Sequence, residues 1–234
     1  MHSPTVARTE DRYSRLDATA SGVQYQPTVS EQENARQAGS TPPPRPSALV
    51  AALAGRPIVL IGMMGAGKSS IGKRLAVRLG IPFKDADNEI EEAANTTIEE
   101  IFENHGEAFF RSGERRVIQR LLGEAPVVVA TGGGAFVDLD TRKAINDAGI
   151  AIWLKADLEV LLARVRRRSN RPLLKGPDPE GTMRRLVEER YPAYEEAPIH
   201  IHSREVSHDV VIEEVLLSLD RYLADHPAPA TEAN

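Results

Sequence analysis

The stretch "LIGMMGAGKSS", residues 60–70, sets three glycines, a lysine and two serines directly behind an apolar run. From Gly62 to Ser69 it fits G-x-x-x-x-G-K-[ST], the spacing of a loop that wraps phosphates. The chemistry needs these residue types in this order. Glycines let consecutive backbone N–H groups turn toward an anion, and a helix that starts where the loop ends favours negative charge there. Lys68 is placed to reach the β- and γ-phosphates of a nucleotide, and the Ser69 hydroxyl to join Mg²⁺. A plain glycine-rich turn would explain the glycines but not the Lys-Ser ending. Such a loop calls for ATP or GTP and leaves the acceptor open.

The flanks of the loop extend the reading. "IVLI" (58–61), "VVVA" (127–130) and "IAIWL" (150–154) are continuous and β-branched-rich, as expected of strands buried on both faces. "IPF" (81–83) reads as a further short strand. Between these runs, Ile71, Leu75 and Leu79 recur at helical spacing, as do Val117, Leu121 and Leu122, and then Leu158, Leu161, Leu162 and Val165. "TIEE" (97–100) has the form of a capping box, and Ile212, Val215, Leu216 and Leu219 mark a last helix. Strands alternating with helices predict an α/β domain, a three-layer α/β/α sandwich on a central parallel sheet.

Composition narrows the class. A chain of 234 residues with 41% hydrophobic content supports one sizeable domain. It has no cysteine, which removes disulfides and thiolate metal sites and fits a reducing compartment. No apolar run approaches the roughly 20 residues needed to span a bilayer, and no signal segment opens the chain, so a cytoplasmic protein without a membrane partner is expected. Residues 1–47 carry five arginines and five acids, so the net charge of −5 falls on the remainder. A mildly acidic domain argues against nucleic acid as a partner. Residues 1–47 lack periodicity and end in "GSTPPPRPS", the composition of a disordered tail. The domain is expected over 48–226, followed by a flexible C-terminus at 227–234.

Three features should meet at the carboxyl ends of the strands, where open α/β sheets bind ligands. "KDADNEI" places Asp85 and Asp87 two apart, and strand alternation would aim both the same way. One could serve the metal's water shell and the other an attacking hydroxyl, or the pair could cap a helix. "ATGGGAF" puts Gly132, Gly133 and Gly134 after a strand, either as a tight turn or as a platform for a ligand. "GEAFFRSGE" (106–114) offers Phe110, Arg111 and Glu114. On a helix Glu114 would lie beside Arg111 and could fix its fork for a carboxylate, or the two could be a surface ion pair.

Beyond them, "RRRSNRPLLKGPDPEG" (166–181) reads as a lid that carries Arg171 over the nucleotide, its bland alternative being a solvated basic face. Arg190 in "EERYPAY" either grips the acceptor or is a cation near a helix C-terminus. Carboxylates, a glycine platform and arginines together suggest a small, hydroxylated, anionic acceptor.

In this order, "GMMGAGKSS", "DAD", "GEAFFR..E", "TGGGA", "RPLL" and "ERYPAY" resemble the shikimate kinases, over about residues 57–223. The resemblance implies the P-loop, nucleoside-monophosphate-kinase-like fold with a lid. It also implies ATP-dependent phosphorylation of the 3-hydroxyl of shikimate, a step toward chorismate and the aromatic amino acids, by a monomer. It assigns the ATP phosphates to Gly65, Ala66, Gly67, Lys68, Ser69 and Ser70, Mg²⁺ to Ser69 with Asp85 in its outer shell, and the reacting hydroxyl to Asp87. Arg111 and Arg190 would hold the shikimate carboxylate, Gly133 would add a backbone contact, and Phe102 and Phe110 would be apolar walls. Arg171 would face the phosphates from the lid, and Arg164 would stack on adenine. "IHIHSREVSH" (199–208) departs from the family's adenine-side loop and receives no assignment. A gluconate-type or nucleoside-monophosphate kinase is the alternative within enzymes, and a nucleotide-bound regulator outside them. The regulator predicts a broken catalytic position, whereas Lys68, Asp87, Arg111, Arg171 and Arg190 are all present.

Overall fold

The computed structural model describes residues 46–166 and 178–228. Most of the expected tail and C-terminal extension, and the lid residues 167–177 with Arg171, lie outside the described residues.

Helix α1 (Pro46–Leu53) opens two residues inside the expected tail, and strand β1 (Ile58–Ile61) follows. The phosphate-loop motif leads into α2 (Lys68–Leu79), whose buried residues include Ile71, Leu75 and Leu79 as its spacing predicts. Next come β2 (Phe83–Asp85), α3 (Ala86–Ala94) and α4 (Ile98–Leu122). Thr97 and Glu100 make the predicted capping box at the start of α4. Strand β3 (Val128–Ala130), a 3₁₀ turn (Ala135–Val137), α5 (Leu139–Ala148), β4 (Ile150–Lys155) and α6 (Leu158–Arg166) complete the middle of the chain. From residue 178 on come α7 (Pro179–Tyr194), β5 (Ile199–His202) and α8 (His208–Asp225).

All five strands are parallel, in the order β2-β3-β1-β4-β5. Strand β1 lies at the centre, with Ile58 opposite both Val128 and Ile150. Its four residues are fully buried because helices cover both faces of the sheet. Helices α1, α2 and α8 pack on one another as one layer, while α4, α5 and the 3₁₀ turn pack together in the other. Trp153, Leu60, Ile61, Leu75 and Leu121 are completely enclosed between them. Each such side chain contributes on the order of 1.5–3 kcal/mol by leaving water.

Two strands differ from expectation. Strand β2 begins at Phe83 rather than Ile81, because Pro82 has no N–H to give and only its carbonyl joins the sheet, accepting from Val128 N–H at 2.9 Å. "IHIH" (199–202) is the edge strand β5, with the isoleucines buried and the histidines exposed. Helix α4 is broken at Gly106 (φ 77°, ψ 175°), so the segment carrying Phe102 and the segment carrying Arg111 differ in direction.

Candidate active site

The phosphate loop is built by the end of β1 and the start of α2. Gly67 is the cap of α2 with φ 98°, a left-handed backbone that costs other residues roughly 1–2 kcal/mol. The loop closes on itself through Ala66 N–H to the Met63 carbonyl at 3.1 Å. Lys68 curls back over it and donates to the carbonyls of Gly62 and Met63, at 2.8 and 3.0 Å. Its ammonium therefore stands at the loop that α2 projects from, where an anion would be expected.

Asp85 and Asp87 reach this place by a route that strand alternation did not foresee. Asp85 ends β2 and caps α3, accepting from the Asp87 N–H at 3.2 Å, while Asp87 sits in the first turn of α3. A cap and a first-turn residue, not two strand residues, thus face the same cleft. The other oxygen of Asp85 accepts from the Ser69 hydroxyl at 2.6 Å, which joins the second element to the phosphate loop.

The cleft encloses about 1090 Å³ over the carboxyl ends of the strands, and Asp85, Asp87, Arg111, Gly133, Arg164 and Arg190 all border it. Phe102 and Phe110 border it as well, packed on each other with ring centroids 4.7 Å apart. Gly65, Gly67, Lys68, Ser69 and Ser70 line its nucleotide end. Ala66 is buried beneath it and offers its carbonyl to Ser203.

The glycine run is neither a simple turn nor an empty platform. A Cβ on Gly132 would lie 2.7 Å from Glu114 Oε1 and 3.0 Å from Asp87 Oδ1. On Gly133 it would lie 3.0 Å from an Arg190 nitrogen, and on Gly134 2.5 Å from two Arg111 nitrogens. Gly132 leaves space for two charged side chains, and Gly133 and Gly134 for one each, at separations that a β-carbon would crowd.

Arg111 and Glu114 are an interior pair, not a surface one. Their contact is 2.6 Å and Glu114 is only 2% exposed. Glu107 holds the far side of the guanidinium at 3.1 and 3.3 Å. Burial opposes the Arg111 charge, but Glu114 and Glu107 overcome it and hold the group firmly protonated. Burial pushes the Glu114 carboxyl above its ordinary 4.5, Arg111 works against that, and the Asp87 and Asp138 charges add to the rise. Glu114 Oε1 has no protein partner, so an acceptor-only corner remains beside Asp87. A ligand hydroxyl is the group such a corner would take.

Arg190 lies within α7, which continues to Tyr194, and it is 8% exposed and turned into the cleft. A cation placed only for the helix terminus would stay in water. On the nucleotide side, Arg164 donates to Ser203 Oγ and to the Arg204 carbonyl, each at 2.8 Å, and to the Gly65 carbonyl at 3.3 Å. Ser203 in turn donates to the Ala66 carbonyl at 2.8 Å. The segment after β5, left without an assignment by the sequence, is therefore the wall of the cleft beside the phosphate loop. Its signal was available in the period-two alternation of "IHIH", which marks an edge strand whose carboxyl end must lie with the others.

Among the described residues no group of three or more His, Cys, Asp and Glu could cage a metal. One hydroxyl and one carboxylate, bonded to each other at the phosphate loop, suit Mg²⁺ instead, since this ion prefers hard oxygens and keeps waters and substrate phosphates as its other ligands.

Fold and cleft together place the chain among the small-molecule kinases built on a phosphate loop. The family model described as shikimate kinase matches residues 64–220. A shikimate kinase of Rhodopseudomonas palustris is 55% identical over 201 residues, covering 86% of this chain and 98% of that protein. One of Bradyrhizobium diazoefficiens is 54% identical, covering 80% of this chain and 90% of its own length. Among solved structures, the shikimate kinase from Acinetobacter baumannii in complex with shikimate superposes with a TM-score of 0.70 at 36% identity, covering 76% of this chain and 98% of that one. The chain belongs to the shikimate kinase family.

Proposed function

We propose that this protein transfers the γ-phosphoryl group of ATP to the 3-hydroxyl of shikimate. The observation that carries the reading is the convergence of Asp87, the Arg111–Glu114 pair and Arg190 on three successive glycines, beside a complete phosphate loop. The family relationship and the shikimate complex of the A. baumannii relative support the same acceptor.

In this reading the loop amides and Lys68 hold the β- and γ-phosphates, so that the charge on the transferring group is met by groups already in place. Ser69 and Asp85 hold Mg²⁺, which when bound neutralises phosphate charge. Arg111 and Arg190 take the acceptor's carboxylate. Asp87 accepts the proton of the attacking hydroxyl, and Glu114 keeps the Arg111 fork aimed. Phe102 and Phe110 cover the apolar part of the ring, and Arg164 with the segment after β5 borders the base. Arg171, outside the described residues, is given its lid role on the sequence alone. No helix among the described residues is long and apolar enough to cross a membrane.

A coupled ADP-release assay with shikimate, gluconate and AMP tests the proposal. Turnover with shikimate and none above background with the other two is expected. Preference for gluconate would transfer the assignment to the alternative kinase.

A further inference from the structure

The glycine run and Arg190 share a partner that the proposed chemistry does not use. Tyr194 follows Arg190 by one helical turn in α7, on the same face, and its side chain is 1% exposed. Its phenol donates to the carbonyl of Gly133 and stands 3.9 Å from the sulfur of Met63 in the phosphate loop. The Arg190 charge stands close to the same phenol, and a β-carbon on Gly133 would lie 3.0 Å from an Arg190 nitrogen. A phenol has one proton, and Tyr194 commits it to the Gly133 carbonyl. Burial pushes the phenol far above its ordinary pKa, with Arg190 acting against the rise, so the donor is retained at any working pH.

We infer that Tyr194 is a positioning residue for the acceptor site, setting Arg190 and the Gly133 peptide at a fixed separation so that both meet the substrate together. This rests on the reading of Arg190 as a grip on the acceptor's carboxylate. An arginine has several rotatable bonds, and its fork is useful only where its direction is held. Glu114 does this for Arg111 with a carboxylate. At Arg190 a second buried carboxylate would neutralise the charge meant for the substrate, whereas a phenol ties the helix turn that carries Arg190 to the Gly133 peptide and leaves the charge intact.

Tyr191 supplies an internal control. Its phenol donates to the Ala156 carbonyl just past β4, and it packs edge-on to Trp153 from the same part of α7, yet its bond goes to the strand end and not to the glycine run. A role in merely pinning α7 to the strand ends would be shared by both tyrosines.

The test is a double-mutant cycle read in steady-state kinetics on the full chain. Tyr194→Phe is expected to raise KM for shikimate about tenfold, with kcat and the KM for ATP within about twofold, while Tyr191→Phe changes none of them by more than about twofold. In an Arg190→Ala background, Tyr194→Phe should add less than about twofold to the shikimate KM, since the group it positions is gone. Fully additive effects, or equal effects of the two tyrosines, would overturn the inference. A Tyr194→Phe chain that fails to fold overturns it too, because the phenol would then be holding the fold and not the arginine. If Arg190→Ala itself leaves the shikimate KM unchanged, the acceptor site is misassigned and the inference falls with it. An Arg190 effect without coupling defeats the Tyr194 inference alone.

Discussion

Gly134 and Arg111 occupy one another's space: a β-carbon at 134 would stand 2.5 Å from both terminal nitrogens of the guanidinium. Arg111 cannot easily withdraw, because Glu114 holds it at 2.6 Å from the buried side and Glu107 at 3.1 Å from the other. We predict that Gly134→Ala displaces the fork and raises KM for shikimate by at least about tenfold, with ATP affinity retained. Binding of each substrate, measured separately by calorimetry, checks this. An alanine variant with native shikimate affinity would show that Arg111 does not meet the acceptor.

Arg111 and Asp87 should separate in kinetics. Arg111→Ala removes a contact present in ground and transition states alike, so KM for shikimate should rise, on the order of 2–5 kcal/mol of lost binding. Asp87→Asn keeps the size of the side chain but cannot take the hydroxyl proton, so kcat should fall with ATP binding kept. Steady-state rates on both variants decide it, and an Asp87→Asn enzyme with unaltered kcat would place the reacting hydroxyl elsewhere.

Lys68→Ala should lower kcat by roughly 10²-fold or more, because its ammonium is the charge placed where the transferring phosphoryl group gains its own. The fold should survive, since the bonds from Lys68 to the Gly62 and Met63 carbonyls lie within its own loop. Circular dichroism and single-turnover rates on one preparation test both halves.

Stability should carry a pH signature from Asp138, the cap of α5. Burial disfavours its charge, but the Thr141 N–H and hydroxyl, both at 2.9 Å, and Arg115 at 3.0 Å outweigh burial and hold the carboxyl below its ordinary 3.8. A depressed carboxylate stabilises the fold fully above its unfolded pKa and loses that contribution as pH falls through the folded value. Asp138→Ala should therefore cost about 1–2 kcal/mol near pH 7, steady down to about pH 5 and shrinking below about pH 4. Urea unfolding of both chains across that range measures the difference. A gap that widened in acid would reverse the assigned sign.

What the sequence determined by itself was local. The phosphate loop, the Thr97–Glu100 cap and the buried strands β1, β3 and β4 follow from spacing and apolar runs within a few residues, where backbone geometry leaves few choices. The identities at the acceptor side were legible too, as a pattern that resembled a family. Only tertiary structure decided how these residues serve one another. Glu114 became an interior partner rather than a surface charge because α4 packs against α5 and the 3₁₀ turn, which sets Glu114 beside Gly132, and burial is not encoded at one position. Asp87 came to the cleft through a helix start, since β2 ends at Asp85 and the next helix begins there with Asp85 as its cap. Arg164, Ser203 and Ala66 join segments as far as 137 residues apart, and Tyr194 meets Gly133 across 61. Contacts at such separation exist only once the sheet has set the order of its strands, so no local pattern could have carried them.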